Sequence, residues 1–248
     1  MTLTGKRALV TGGGTGIGAA IATALAAEGA DVLITGRRDA PLREIADTHD
    51  RMRWALMDVT DEASVVETIA EAGEIDILIA NAGIAETMSL AKTTMDFWRR
   101  VQAVNVEGTM LCLRETLPAM ALRGWGRAIV ISSTAGLKGF RYGAAYAASK
   151  HAVLGLMKSA AEEVLTKGVT VNALCPGYVA TPIIDRSVEN IVARTDIPAE
   201  DALATLARTN PFGRLIEPAE VAAAALWLCR PGSGAVTGQA IPISGGQV

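Results

Sequence analysis

Arg7-Ala8-Leu9-Val10-Thr11 runs directly into Gly12-Gly13-Gly14-Thr15-Gly16-Ile17-Gly18, and an alanine-rich stretch from Ala19 to Ala27 follows. A short apolar run, a glycine turn and an apolar helix former, in that order, read as strand, turn and helix. Glycine lets the backbone turn tightly, and the free amides and dipole at a helix N-terminus favour a negatively charged group. A second apolar run, Asp31-Val32-Leu33-Ile34-Thr35, comes next. A glycine turn between a first strand and a helix, with a second strand behind it, is the arrangement that binds the pyrophosphate of a dinucleotide; the same glycines elsewhere would be a bare turn.

The rhythm continues along the chain. Apolar runs recur at 52–58, 75–80, 128–132, 169–174 and 240–243, separated by segments of helical character. That alternation predicts an α/β fold, a doubly wound parallel sheet with helices on both faces, forming one domain over residues 1–248. The runs are continuously apolar rather than alternating, as strands buried on both faces require. Ligands bind such sheets beyond the carboxyl ends of the strands. Gly12, Gly36, Asp58, Asn81, Ser133 and Pro176 fall at those ends.

Tyr146-Ala147-Ala148-Ser149-Lys150 places a phenol and an ammonium four residues apart, on one face if the stretch is helical. A free phenol titrates near ~10, too high for proton exchange at neutral pH, and a neighbouring cation is expected to lower it. Tyr142 has no lysine four positions on, since that position is Tyr146, and His151 projects from a different helix face than Lys150.

Thr11-Gly12-x-x-x-Gly16-Ile17-Gly18, Asp58-Val59, Asn81-Ala82-Gly83, Asn105, Ser133, Tyr146-x-x-x-Lys150 and Pro176-Gly177 occur in that order. Together they resemble the short-chain dehydrogenase/reductase family over essentially the whole chain, and the resemblance implies a Rossmann-like fold. It implies that Tyr146 is the acid/base, that Ser133 bonds the substrate oxygen, and that Lys150 holds the nicotinamide ribose and steadies the phenolate. Asn105 is implied to hold a water through which Lys150 reaches solvent. Gly12, Thr15, Gly16, Ile17, Gly18, Arg37, Asp58, Val59, Asn81, Gly83, Pro176, Gly177, Val179 and Thr181, with Tyr146 and Lys150, are implied to hold the cofactor. Similarity is strongest to 3-oxoacyl-thioester reductases and aromatic-polyketide ketoreductases, with a ketone or secondary alcohol as substrate and a homotetramer as the assembly. A secondary-alcohol dehydrogenase acting on a neutral small molecule is the alternative, and a nucleotide sensor without turnover is disfavoured by the four intact catalytic positions. Members that grip a free carboxylate carry histidine and lysine where this chain has Ala135 and Gly143.

Cofactor choice rests on the end of the second strand. Thr35-Gly36-Arg37-Arg38 offers no carboxylate before Asp39. An acid there would repel a 2′-phosphate, whereas a guanidinium pairs with it, so NADP(H) is expected over NAD(H). Between Pro182 and Glu217 no strand pattern occurs, and the 183–216 segment is expected to be a lid over the substrate.

Composition narrows the alternatives. The net charge of −3 gives no basic stripe for nucleic acid, and the three cysteines, Cys112, Cys175 and Cys229, are far apart, which points to buried thiols in a reducing cytoplasm. With two histidines in the chain no metal site is expected, and no apolar run is long enough to span a membrane.

Overall fold

The structure, a computed structural model, describes residues 3–195 and 197–248. Among the described residues seven strands form one sheet: β1 (Arg7–Thr11), β2 (Asp31–Gly36), β3 (Met52–Leu56), β4 (Ile77–Ala80), β5 (Gly126–Ile131), β6 (Val169–Pro176) and β7 (Ala240–Ile243). Their order is β3-β2-β1-β4-β5-β6-β7, and every pairing is parallel. The chain winds outward from β1 to β3 and then returns to lay β4 on the other side of β1. The winding reverses between β1 and β4, and a crevice opens there at the carboxyl ends.

The continuous apolar runs have a direct cause. Along β1, Ala8 and Val10 enter one core and Leu9 the other; β4 repeats this with Ile77 and Ile79 against Leu78. One core is completed by α1 (Gly16–Ala27), α2 (Asp39–Ala46) and α9 (Pro218–Cys229), through Ile21, Leu25, Leu42 and Val221. The other is completed by α3 (Glu62–Ala72), α5 (Gly108–Arg123) and α6 (Ala144–Val164), through Val65, Leu113, Leu117 and Met157. A strand packed on both faces has no polar face to show, so period-2 alternation disappears from its sequence. Only the edge strands β3 and β7 keep partly exposed residues along most of their length.

Strand ends move by a few residues from their expected places for local reasons. β3 stops at Leu56 because Asp58 turns back on itself: its Oδ1 accepts from the Thr60 amide at 2.9 Å and the Thr60 hydroxyl at 2.8 Å. β4 begins at Ile77, since the Asp76 carboxylate accepts the Arg7 amide at 3.0 Å.

Two regions differ more. The stretch 95–123 holds two helices, α4 (Met95–Gln102) and α5, joined by a π-turn, Ala103–Glu107, which carries Asn105. The 183–216 segment contains two helices, α7 (Pro182–Thr195) and α8 (Ala199–Thr209). Asp196 and the side chains of Arg186, Asn190 and Arg194 lie outside the described residues. Among the described residues no helix is long and apolar enough to cross a membrane.

Candidate active site

The glycine turn and the end of β4 are fastened together. Thr11 Oγ1 accepts the amides of Asn81 at 3.0 Å and Ala82 at 2.9 Å, while Asn81 Nδ2 donates to the carbonyls of Thr11 and Gly12. Gly12 adopts φ +65°, and a Cβ there would stand 2.9 Å from Asn81 Nδ2. Gly18 stands where α1 meets the turn. A Cβ on it would meet the Gly12 carbonyl oxygen at 2.4 Å, so it lets α1 pack against the turn and is not part of the cavity wall.

In front of the turn lies a cavity of about 460 Å³. Gly12, Thr15, Gly16, Ile17, Arg37, Asp58, Val59, Asn81, Gly83 and Thr181 all line it, as expected of a shared site. The backbone-lined turn at a helix N-terminus and the Arg37 guanidinium at the far end are suited to a pyrophosphate and a further anionic group, so the residues present fit a dinucleotide. Burial acts to raise the Asp58 carboxyl, but the two hydrogen bonds from Thr60 and the nearby Arg37 charge outweigh it and hold the group below its ordinary value. Gly177 and Val179 stand behind this wall. Gly177 packs on the Asn210 side chain, and Val179 is buried in a β-bridge to Ile216.

At the other end of the crevice the expected catalytic groups arrive from three elements. Ser132 and Ser133 close β5 and point in opposite directions: Ser132 is buried with its hydroxyl on the Lys150 carbonyl at 3.1 Å, leaving Ser133 to face the Tyr146 side. Asn105, almost wholly buried, accepts the Ile84 amide at 2.9 Å and donates to the Ile84 carbonyl at 3.0 Å and to Ser149 Oγ at 2.9 Å. Both halves of its amide are therefore engaged by protein, tying the π-turn to the loop after β4 and to α6. Gly83 leaves the space between Asn105 and Lys150; a Cβ there would sit 3.2 Å from Asn105 Oδ1 and 3.6 Å from Lys150 Nζ.

Lys150 and Tyr146 share the face of α6, with Nζ 5.8 Å from the centre of the phenol ring. Burial pushes the Lys150 ammonium down to about 8, and its proton is directed to the Ile131 carbonyl at 2.8 Å. The expectation that Lys150 lowers the phenol needs correction for this state. The Tyr146 phenol lies above its ordinary value, chiefly through burial and further through the nearby Tyr178 phenol, while the Ser133 hydroxyl pulls it back. The ammonium is committed to a carbonyl and does not outweigh desolvation.

Other residues keep their modest parts. His151 faces outward with Nδ1 2.9 Å from the Ala147 carbonyl, and the buried thiols of Cys112, Cys175 and Cys229 are raised to about 12, 11 and 12 by burial. Two residues escaped the sequence reading. Tyr178 stands beside Tyr146, and only its place next to Pro176-Gly177 hints at that. Asn210, with no exposed surface, bonds the amide of Tyr178 and the carbonyls of Tyr178 and Arg214 at 2.8–3.1 Å, although Asn210-Pro211 reads as a surface turn.

The sequence matches the family model of short chain dehydrogenases over residues 6–191. It is 38% identical to cis-4-hydroxycyclohexanecarboxylate dehydrogenase of Sinomonas cyclohexanicum, with 96% of this chain and 95% of that protein covered. It is 36% identical to D-beta-hydroxybutyrate dehydrogenase of Cupriavidus necator, with 99% of each covered. Among solved structures, a single-site variant of actinorhodin polyketide ketoreductase with NADPH superposes with a TM-score of 0.92 at 34% identity, covering 98% of this chain and 97% of that one. The chain thus belongs to the short-chain dehydrogenase/reductase family, whose enzymes use NAD(P)(H), and is an oxidoreductase acting on hydroxyl and keto groups.

Proposed function

We propose that one domain spanning residues 1–248 interconverts a ketone and a secondary alcohol, with Tyr146 exchanging the proton at the substrate oxygen. The convergence of Ser133, Tyr146, Lys150 and Asn105 from β5, α6 and the π-turn carries this reading. Ser133 donates to the substrate oxygen and steadies the charge that develops there. Lys150 holds ribose hydroxyls of the cofactor and, once its ammonium turns from the Ile131 carbonyl, favours the phenolate. Asn105 fixes the loop after β4 and lines the route by which Lys150 regains its proton. The bound nicotinamide supplies or accepts the hydride.

NADP(H) is the cofactor this chain is built for. Arg37 and Arg38 stand exposed on the cavity wall with Arg37 close enough to Asp58 to act on its charge, and β2 ends without a carboxylate to repel a 2′-phosphate. The α7–α8 segment covers the substrate, and four copies assemble. For the substrate, the sequence resemblance favours a 3-oxoacyl thioester. A neutral ketone is the second reading, favoured by the absence of charge at Ala135 and Gly143.

Replacing Tyr146 by phenylalanine tests the acid/base role. Turnover should fall by about a thousandfold or more, general acid–base catalysis contributing roughly that much, while NADPH affinity stays within about twofold. A variant keeping a tenth of wild-type kcat would place the proton donor elsewhere.

A further inference from the structure

The strap between β5 and α6 aims an aromatic ring at the reacting phenol. The Phe140 ring meets Tyr146 edge-on, with centres 6.3 Å apart and planes at 78°. Phe140 is 38% exposed, so part of this residue next to Tyr146 is left uncovered. Two local features hold it there. A Cβ at Gly143 would stand 2.3 Å from the ring atoms, so the ring occupies space that only glycine leaves free. The Phe140 carbonyl accepts the Gly143 amide at 3.2 Å, closing a tight turn with Tyr142 at φ +65°. Such a turn normally has glycine at that third position, and a tyrosine there is strained. Its surroundings keep it so: the Tyr142 carbonyl accepts the Met88 amide at 2.8 Å, tying the strap to the loop after β4.

Three cations around the strap have partners of their own. Lys138 Nζ donates to the Gln247 carbonyl at 2.9 Å, the Arg141 guanidinium lies 4.8 Å from the centre of the Tyr142 ring, and Lys150 donates to the Ile131 carbonyl. Ala135 is buried and uncharged. Ala135 and Gly143 offer a small anionic ketone no charged side chain, whereas an apolar ring finds a flat platform in Phe140.

We propose that Phe140 is a specificity-determining residue and that the substrate carries its reacting carbonyl or carbinol carbon in an alicyclic or aromatic ring, or directly beside one, with that ring seated on Phe140. This rests on Tyr146 as the acid/base, takes the neutral-ketone reading over the thioester one, and names the substrate class for that same site. Gly143 is then a positioning residue, since its missing side chain seats the platform.

The test compares cyclohexanone with 2-hexanone, an open-chain ketone of equal carbon number, and with the N-acetylcysteamine thioester of acetoacetate, each with NADPH and with NADH. Wild type should prefer cyclohexanone in kcat/KM. Phe140→Ala should lose about tenfold on cyclohexanone, equivalent to ~1.4 kcal/mol, and no more than about twofold on 2-hexanone. Phe140→Tyr should retain activity, and Gly143→Ala should reproduce the selective loss by displacing the ring. Unchanged cofactor affinity in each variant shows that the nucleotide half is intact. Equal losses on both ketones, or a thioester preferred over cyclohexanone and indifferent to Phe140→Ala, overturn the platform while leaving Tyr146 untouched. A wild type inert to cyclohexanone but active on either other compound, with that activity lost in Tyr146→Phe, overturns the platform and leaves the acid/base reading standing.

Discussion

The glycine turn at Gly12–Gly18 is held by backbone that nearly touches backbone, whereas the α7–α8 segment is held at its base and along one narrow buried stripe. Around the turn a Cβ on Gly13 would stand 2.7 Å from the Ile34 side chain, and one on Gly18 2.4 Å from the Gly12 carbonyl. In α7 and α8 only a few described side chains, such as Ile184, Ala202 and Leu206, are buried, while Ile183 and Leu203 remain more than 40% exposed. The base is a β-bridge between Val179 and Ile216 together with the hydrogen bonds of Asn210. Close backbone packing makes a rigid cradle for a nucleotide whose shape does not vary. If the segment is the lid we propose, anchorage at one end lets it open and close at small cost, because few contacts are broken.

If Asn210 is the clasp, breaking it should separate the two regions. Asn210→Leu leaves the Tyr178 amide and the Arg214 carbonyl without these partners in a fully buried place, while the Tyr178 carbonyl keeps the Ile216 amide at 2.9 Å, a loss of about 3 kcal/mol in stability. Proteolysis should then cut between residues 182 and 216 first. In the wild type the same cuts should be slowed by cofactor plus a substrate analogue, because a ligand protects what it orders. A variant with unchanged melting and unchanged cleavage would show that Asn210 does not hold the segment.

The cradle answers differently. Gly18→Ala forces a methyl against the Gly12 carbonyl and the Asn81 amide, and about 2–3 kcal/mol should be lost, with weaker binding of either dinucleotide. Thermal melting together with cofactor titration checks this; an alanine accepted without cost would mean that α1 and the turn are less closely packed than 2.4 Å implies. Farther out on the same wall, Arg37→Ala should cost about 2 kcal/mol of NADPH affinity and little for NADH. Equal losses would mean that Arg37 shapes the wall without reading a phosphate, and a wild type that prefers NADH would remove the NADP(H) assignment.

The same contrast explains what the sequence could tell. Residues whose chemistry is forced by backbone geometry were legible: the glycines of the turn, the parallel sheet implied by continuous apolar runs, and the shared face of Tyr146 and Lys150. Parts decided by tertiary contact were not. The π-turn at Ala103–Glu107 is invisible because five residues carry no period that separates it from an α-helix. The strap around Phe140 depends on a tyrosine at φ +65°, against its own propensity, and Asn210 is buried despite a turn-like context. Segment 183–216 lacks strand pattern, which correctly excluded a strand, but its split into α7 and α8 needed the fold. The direction of the Tyr146 shift is not legible from a lysine four residues on, because the sequence does not show the burial of the phenol or the Ile131 carbonyl that claims the ammonium.

The smallest effect concerns that lysine. The Lys150 ammonium is lowered from 10.5 to about 8 in the folded protein. Between those values the unfolded chain holds a proton there that the folded chain has released, so rising pH favours the folded state, by about 1 kcal/mol between pH 8 and 9. The buried thiols act with the opposite sign. Cys112, Cys175 and Cys229 are raised from 9.0 to about 12, 11 and 12, so above pH 8 the unfolded chain loses thiol protons that the folded chain keeps, and stability falls. In the wild-type curve the two trends nearly cancel over this interval, and a flat profile would carry no information. The decisive quantity is a difference between two proteins that share all three thiols. The stability of wild type relative to Lys150→Met should grow by about 1 kcal/mol from pH 8 to 9, measured by denaturant unfolding without cofactor. Parallel curves would mean that the ammonium carries no burden of burial in the free enzyme. The crevice would then be open to water at Lys150, and the catalytic end of the site would resemble the loosely held segment more than the tight cradle.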